Sequence, residues 1–182
     1  MSLEFVNNLF VLSPRPFGDM GEEIIKLIIP SLKERKDHTH DASEHDKRIE
    51  IKCSRARIPR KVNSLVNLLT ENYSLKSASL DDLCSNNKIN CIFEHIKTRY
   101  FDKLYYSIFT SDCVLVFGIT PEELVQDKNI SFCNKQTRDA QGDGQFHIRK
   151  SNVQHHMDNY LIKKITYDKI EKMILENYSE TK

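Results

Sequence analysis

The run Cys113-Val114-Leu115-Val116-Phe117-Gly118-Ile119 has no polar position, so a strand made from it must be buried on both faces. Such a strand belongs in the middle of a sheet, and that sheet needs cover on each side. YYSIF at 105–109 reads as a neighbouring strand. Thr120-Pro121-Glu122-Glu123 reads as a helix start, with Thr120 as N-cap and proline at the first helical position, where its missing N–H costs no hydrogen bond.

Helical and strand-like segments alternate around this centre. After an extended start containing Pro14 and Pro16, GDMGEEIIKLIIPSLKER predicts a helix capped by Asp19, with Ile24, Ile25, Leu27, Ile28 and Ile29 as its apolar face. Residues 62–104 read as helical, with Leu65, Val66, Leu68 and Leu69 in one segment and Ile92, Phe93, Ile96 and Tyr100 in a later one. Asn129 to Cys133 reads as a short strand and TRDAQGDG as a polar loop. SNVQHHMDNYLIKK and TYDKIEKMILENY read as two closing helices, Thr166 capping the second. The expectation is an α/β fold, a single mixed β-sheet flanked by helices, in one domain over residues 1–182.

Composition narrows the function classes. A net charge of +1 from 27 basic and 26 acidic residues says little as a sum. Distribution says more: between Lys47 and Lys61, the cations Lys47, Arg48, Lys52, Arg55, Arg57, Arg60 and Lys61 are answered only by Glu50, which suits phosphate contacts or a solvated loop face. Cys53, Cys84, Cys91, Cys113 and Cys133 include no C-x-x-C pair, so reduced, mostly buried thiols are expected. No apolar run approaches the roughly 20 residues of a membrane span and the start resembles no signal peptide, so a cytoplasmic protein without membrane contact is expected. No P-loop or G-x-G-x-x-G points to a nucleotide cofactor.

The chemistry centres on Glu50-Ile51-Lys52. An acidic-x-Lys triplet is weak by itself, since 26 acidic residues and 18 lysines predict about 2.6 by chance. Glu34-Arg35-Lys36 follows a helix in a charged run and reads as a solvated face. Glu50-Ile51-Lys52 lies in a strand, RIEIKCS, preceded by HTHDAS and a polar turn, so Glu50 and Lys52 share one face. If the turn centres on His45-Asp46, cross-strand positions sum to 91 and Asp41 faces Glu50. Two carboxylates so placed repel unless a cation lies between them, and Mg²⁺ is the expected occupant. Lys52 could orient the attacking water, lower its pKa or stabilise transition-state charge. A register slip of one would move Asp41 to the other face and bring Asp37 or Asp46 into play, and an exposed salt-bridged hairpin is the bland alternative.

A helix carrying glutamate, an acidic residue on one strand and Glu-x-Lys on the next resemble the core of the PD-(D/E)XK nuclease superfamily, here through Glu22, Asp41, Glu50 and Lys52. His40 stands where the motif has proline before the aspartate. Such a core implies a restriction-endonuclease-like fold over about 18–120, a Mg²⁺ site made by Asp41, Glu50 and Glu22, and preference for Glu22 over Glu23. GDGQFHIRKSNVQHHMDNYLIKKITYDKI resembles small type II restriction endonucleases, the GCNGC-cutting family in particular. That implies double-stranded DNA as substrate, 5′-phosphate and 3′-hydroxyl products and a cognate methyltransferase.

The segment at about 134–162 also makes physical sense as a groove reader. Gly142 and Gly144 would let a loop approach DNA, and Arg138, Gln145, His147, Arg149, Lys150, Asn152 and His155 offer hydrogen-bonding tips. Adjacent His155 and His156 point different ways on a helix and are a poor metal pair. A symmetric DNA site calls for a homodimer. The competing readings are a structure-specific repair or recombination nuclease, a non-catalytic DNA-binding protein and, more remotely, a Cys/His nucleophilic enzyme.

Overall fold

The computed structural model describes residues 2–34, 40–58, 76–135 and 141–180. Helices α1 (Ser2–Val11) and α2 (Pro14–Ile28) lead into strands β1 (Ala42–Glu44), β2 (Lys47–Arg55), β3 (Arg57–Ile58) and β4 (Lys76–Ser77). Then come α3 (Leu80–Ser85), β5 (Asn90–Ile96), β6 (Lys103–Phe109), β7 (Cys113–Ile119), α4 (Pro121–Gln126), β8 (Cys133–Lys135) and β9 (Gln141–Arg149). The chain closes with α5 (Val153–Asn159), β10 (Leu161–Thr166) and α6 (Tyr167–Glu180).

The main sheet is mixed and five-stranded, in the order β1-β2-β6-β7-β10, with β2 and β6 parallel. β7 lies inside the sheet, between β6 and β10, and is buried, as its two-faced apolarity demands. One face packs Ile49, Ile51, Tyr105, Val114 and Val116 against α1, α2 and α6. The other packs Leu104, Tyr106, Leu115 and Phe117 against Phe93 and Phe146, which belong to a second, antiparallel sheet in the order β5-β9-β8. A single sheet flanked by helices therefore describes one side only; on the other side a second sheet and the short helices α3 to α5 provide the cover.

Several segments depart from the sequence reading. Residues 2–11 are helical, and Pro14 and Pro16 occupy the first turn of α2 behind Ser13, where proline costs no intrahelical bond. Residues 90–96 form a strand, because Cys91 and Phe93 alternate with exposed Ile92 and Glu94 and pair with Ile148 and Phe146. Residues 141–144 belong to β9, and space at Gly144 is closed by the Phe132 ring, which an added Cβ would meet at 2.0 Å; this glycine serves packing, not approach to DNA. Residues 161–166 form edge strand β10, whose Lys163 and Lys164 stay exposed and blunt further pairing. The expected strand at Asn129 to Cys133 begins only at Cys133, after a turn. The expected helix about Leu65 to Leu69 lies outside the described residues.

Local signals hold where they are chemically specific. Thr120 caps α4 through a reciprocal capping box with Glu123, and Ser79 does the same for α3 with Asp82. The five cysteines form no disulfide; Cys91 and Cys113 are buried, Cys53 and Cys84 half-buried and Cys133 exposed. Among the described residues, no helix is long and apolar enough to cross a membrane.

His156 is a buried polar residue that packs against Tyr106 and Phe117 of the main sheet and Phe146 of the second. It is fully buried, its Nδ1 lies 2.9 Å from the Tyr106 hydroxyl and its Nε2 has no hydrogen-bond partner among the described residues. Burial, reinforced by His155 and opposed by Asp127, pushes its pKa down to about 4. The unfolded chain therefore takes up a proton that the folded chain refuses between about pH 6.5 and pH 4. Stability should fall over that window as the pH falls, by up to about 3 kcal/mol. Urea midpoints measured across it should decline more shallowly in His156→Gln; equal slopes would show that other groups set the acid sensitivity.

Candidate active site

β1 and β2 form the hairpin expected from the sequence. Ala42 pairs with Ile49, Ser43 with Arg48 and Glu44 with Lys47, and turn residues His45 and Asp46 have φ of 48° and 65°. Two left-handed residues in a two-residue turn match the right-handed twist of a hairpin. The ladder ends at Ala42, so Asp41 stands one step beyond it on the Glu50 side, and its Oδ2 accepts a hydrogen bond from the Ile51 N–H at 2.7 Å. Asp46 remains in the turn, and Asp37 lies outside the described residues.

Glu50 and Lys52 share a face of β2 and form an ion pair between Oε1 and Nζ at 2.5 Å. Glu22 joins them from α2. The helix approaches closely because Gly21 has no side chain: a Cβ there would lie 2.6 Å from Cys53 Sγ and 2.9 Å from Cys53 Cβ. Of the two adjacent glutamates, Glu22 is the one coupled to Asp41 and Lys52, whereas Glu23 binds Lys26. The edge of β2 thus gathers three carboxyl groups and one ammonium from α2, the residue before β1, and β2.

Electrostatics there are strained. Burial, and secondly Asp41, raise the Glu22 pKa to about 7. Burial also raises that of Glu50, opposed by Lys52 and reinforced by Asp41. For Lys52 burial disfavours the charge, but Glu50, Asp41 and Glu22 outweigh it and its pKa rises. With all three carboxylates ionised, the cluster would carry two negative charges more than Lys52 can answer, which suits a hard divalent cation with oxygen ligands. Among the described residues, no three His, Cys, Asp or Glu side chains already form a metal-holding set. Glu50 is turned to Lys52 and one Asp41 oxygen is taken by Ile51 N–H; Mg²⁺ needs only one or two carboxylates beside water and phosphate oxygens.

Two cavities flank the cluster. One, of about 490 Å³, is lined by Lys52, Ser54, Arg55, Arg57, Asn90 and Glu94 among others. The second, of about 420 Å³, is lined by Glu50, His95, Lys97 and Tyr100. Glu50 and Lys52 therefore face a cleft between β2 and β5.

The expected DNA contacts are dispersed. The Arg55 guanidinium donates to the carbonyls of Leu9, Phe10 and Leu12 and stacks on Phe17 at 4.1 Å, and Arg57 donates to the Phe10 carbonyl. Both serve the C-terminal end of α1, whose carbonyls lack helical partners. Arg48 is neutralised by Asp102, so the basic stripe read from the sequence is not a continuous free face. Gln145, His147 and Arg149 occupy one face of β9, alternating with buried Phe146 and Ile148, and Arg149 and His147 both contact Asn90, which lines the cavity beside Lys52. Asn152 accepts from Arg149 N–H and donates to the His147 carbonyl, closing the turn into α5. His155 pairs with Asp127, and Lys150 is exposed. Arg60, Lys61 and Arg138 lie outside the described residues.

The sequence reading missed His95, Lys97 and Tyr100 because it treated their segment as helical, which hid their place beside Glu50. No family model, no curated protein and no solved structure matches this chain.

Proposed function

We propose that this chain is a Mg²⁺-dependent endonuclease of the type II restriction kind, which hydrolyses double-stranded DNA at a short palindromic sequence. The observation that carries the reading is the meeting of Glu22, Asp41 and Glu50 with a single ammonium, Lys52, at a strand edge that opens into a cleft. Asp41, Glu50 and Glu22 would hold the ion, which when bound supplies the positive charge that polarises the scissile phosphate and lowers the pKa of the attacking water. Glu50 positions Lys52, and Lys52 keeps its proton and stabilises charge gathering on the phosphate; it does not act as the base. The nearby face of β9 with His147 and Arg149 supports base reading, arginine being suited to guanine. A homodimer would set one such site on each strand, and a methyltransferase that protects host DNA belongs to the same proposal.

Cleavage of a plasmid of known sequence tests it. Discrete fragments should appear with Mg²⁺, vanish with EDTA and vanish in Glu50→Gln. DNA left intact by the wild type, or cutting that survives the substitution, would sink the assignment.

A further inference from the structure

A β-bulge makes the cleft two-sided. The β5–β9 register shifts between Phe93 and Ile96, and within that shift His95 has φ of 59°. A left-handed histidine is strained, and such strain tends to persist where the conformation is used. Its consequence here is geometric. Neighbours Glu94 and His95 both lie outside the core, Glu94 lining the cavity beside Lys52 and His95 the cavity beside Glu50.

Around the second cavity the polar groups are tied together. Asp143, largely covered at 15% exposure, reaches both His95 Nδ1 at 3.4 Å and Lys97 Nζ at 3.7 Å. Lys97 itself is 52% exposed, and the next turn sets the Arg99 guanidinium over the half-exposed Tyr100 ring at 4.7 Å. Lys97, His95 and Tyr100 thus line the cavity that Glu50 also lines, Arg99 adds a second cation over Tyr100, and the group is suited to a backbone anion.

We propose that this cavity is a subsite for a DNA backbone phosphate next to the one hydrolysed, with Lys97 and His95 as the contacting residues and Asp143 as the positioning residue that holds both. The inference rests on the nuclease reading and adds to it the course of the strand: along β2, past Glu50, toward the turn after β5. Phosphate contact carries no sequence information, so the subsite contributes to affinity and register and leaves base choice to the β9 face.

Binding of fluorescently labelled duplex DNA in EDTA, titrated over a range of KCl concentrations, separates this subsite from catalysis. Lys97→Ala should bind roughly tenfold more weakly near 0.1 M salt, with the slope of log affinity against log salt reduced by about one. Lys97→Arg should restore most of the affinity. Lys172→Ala, on exposed α6, removes the same charge elsewhere and should match the wild type. Glu50→Gln should keep binding while losing cleavage. Wild-type affinity and slope in a folded Lys97→Ala, with the parent still cutting DNA, would overturn the subsite and leave the nuclease reading intact. A wild type that neither binds nor cuts would overturn both.

Discussion

Replacing Lys52 with methionine should lower the rate of Mg²⁺-dependent cleavage by about 10²–10³-fold at saturating DNA, equivalent to about 3–4 kcal/mol of lost transition-state stabilisation. Methionine keeps much of the buried side-chain volume and removes only the ammonium, so the loss reports charge. That ammonium is paired with Glu50, and it opposes the rise in the carboxyl pKa values of Glu22 and Glu50. Its removal should make both carboxyl groups ionise at still higher pH, shifting the alkaline onset of cleavage upward. Half-saturation by Mg²⁺ at high pH should not worsen, because a competing positive charge has gone. If excess Mg²⁺ restored the wild-type rate, Lys52 would be a structural counter-ion and not a group acting on the phosphate.

Gly21→Ala should be costly both to stability and to cleavage. A Cβ at this position meets Cys53 Sγ at 2.6 Å and Cys53 Cβ at 2.9 Å, so α2 must move off β2 or β2 must give way. Overpacking of this kind typically costs about 1–3 kcal/mol, of which the better helix propensity of alanine returns up to about 1. The displaced residue next along is Glu22, so cleavage should fall further than the change in thermal midpoint explains. Cys53→Ala removes the sulfur that the new methyl meets, and the double variant should recover part of both losses. Additive losses would show that the contact between α2 and β2 does not place Glu22.

The hairpin and its neighbours were legible because their signals are local. A polar turn between two short period-two segments sets the register, and the summed numbering that faces Asp41 with Glu50 is the register found. The apolarity of β7 on both faces and the Thr120-Pro121 helix start are equally local statements. Strands β5 and β10 were not legible, since short apolar runs suit either period and their partners lie far along the chain: Phe93 pairs with Phe146, and Lys164 with Leu115.

The same division holds for the site. Sequence alone determined that Glu50 and Lys52 share a face, and it faced Asp41 with Glu50 in one of the registers it allowed, because side-chain period and turn length act over a few residues. The resemblance favours Glu22 over Glu23, and only the tertiary structure supplies a physical reason, the missing side chain of Gly21 against Cys53, with Glu22 coupled to Asp41 and Lys52 and Glu23 bound to Lys26. It also decided that Arg55 and Arg57 are held by α1 carbonyls, and that His95 and Lys97 stand beside Glu50. Those outcomes depend on which buried surfaces meet across many residues of chain, where burial and the need to satisfy polar groups choose among partners that local pattern leaves equivalent.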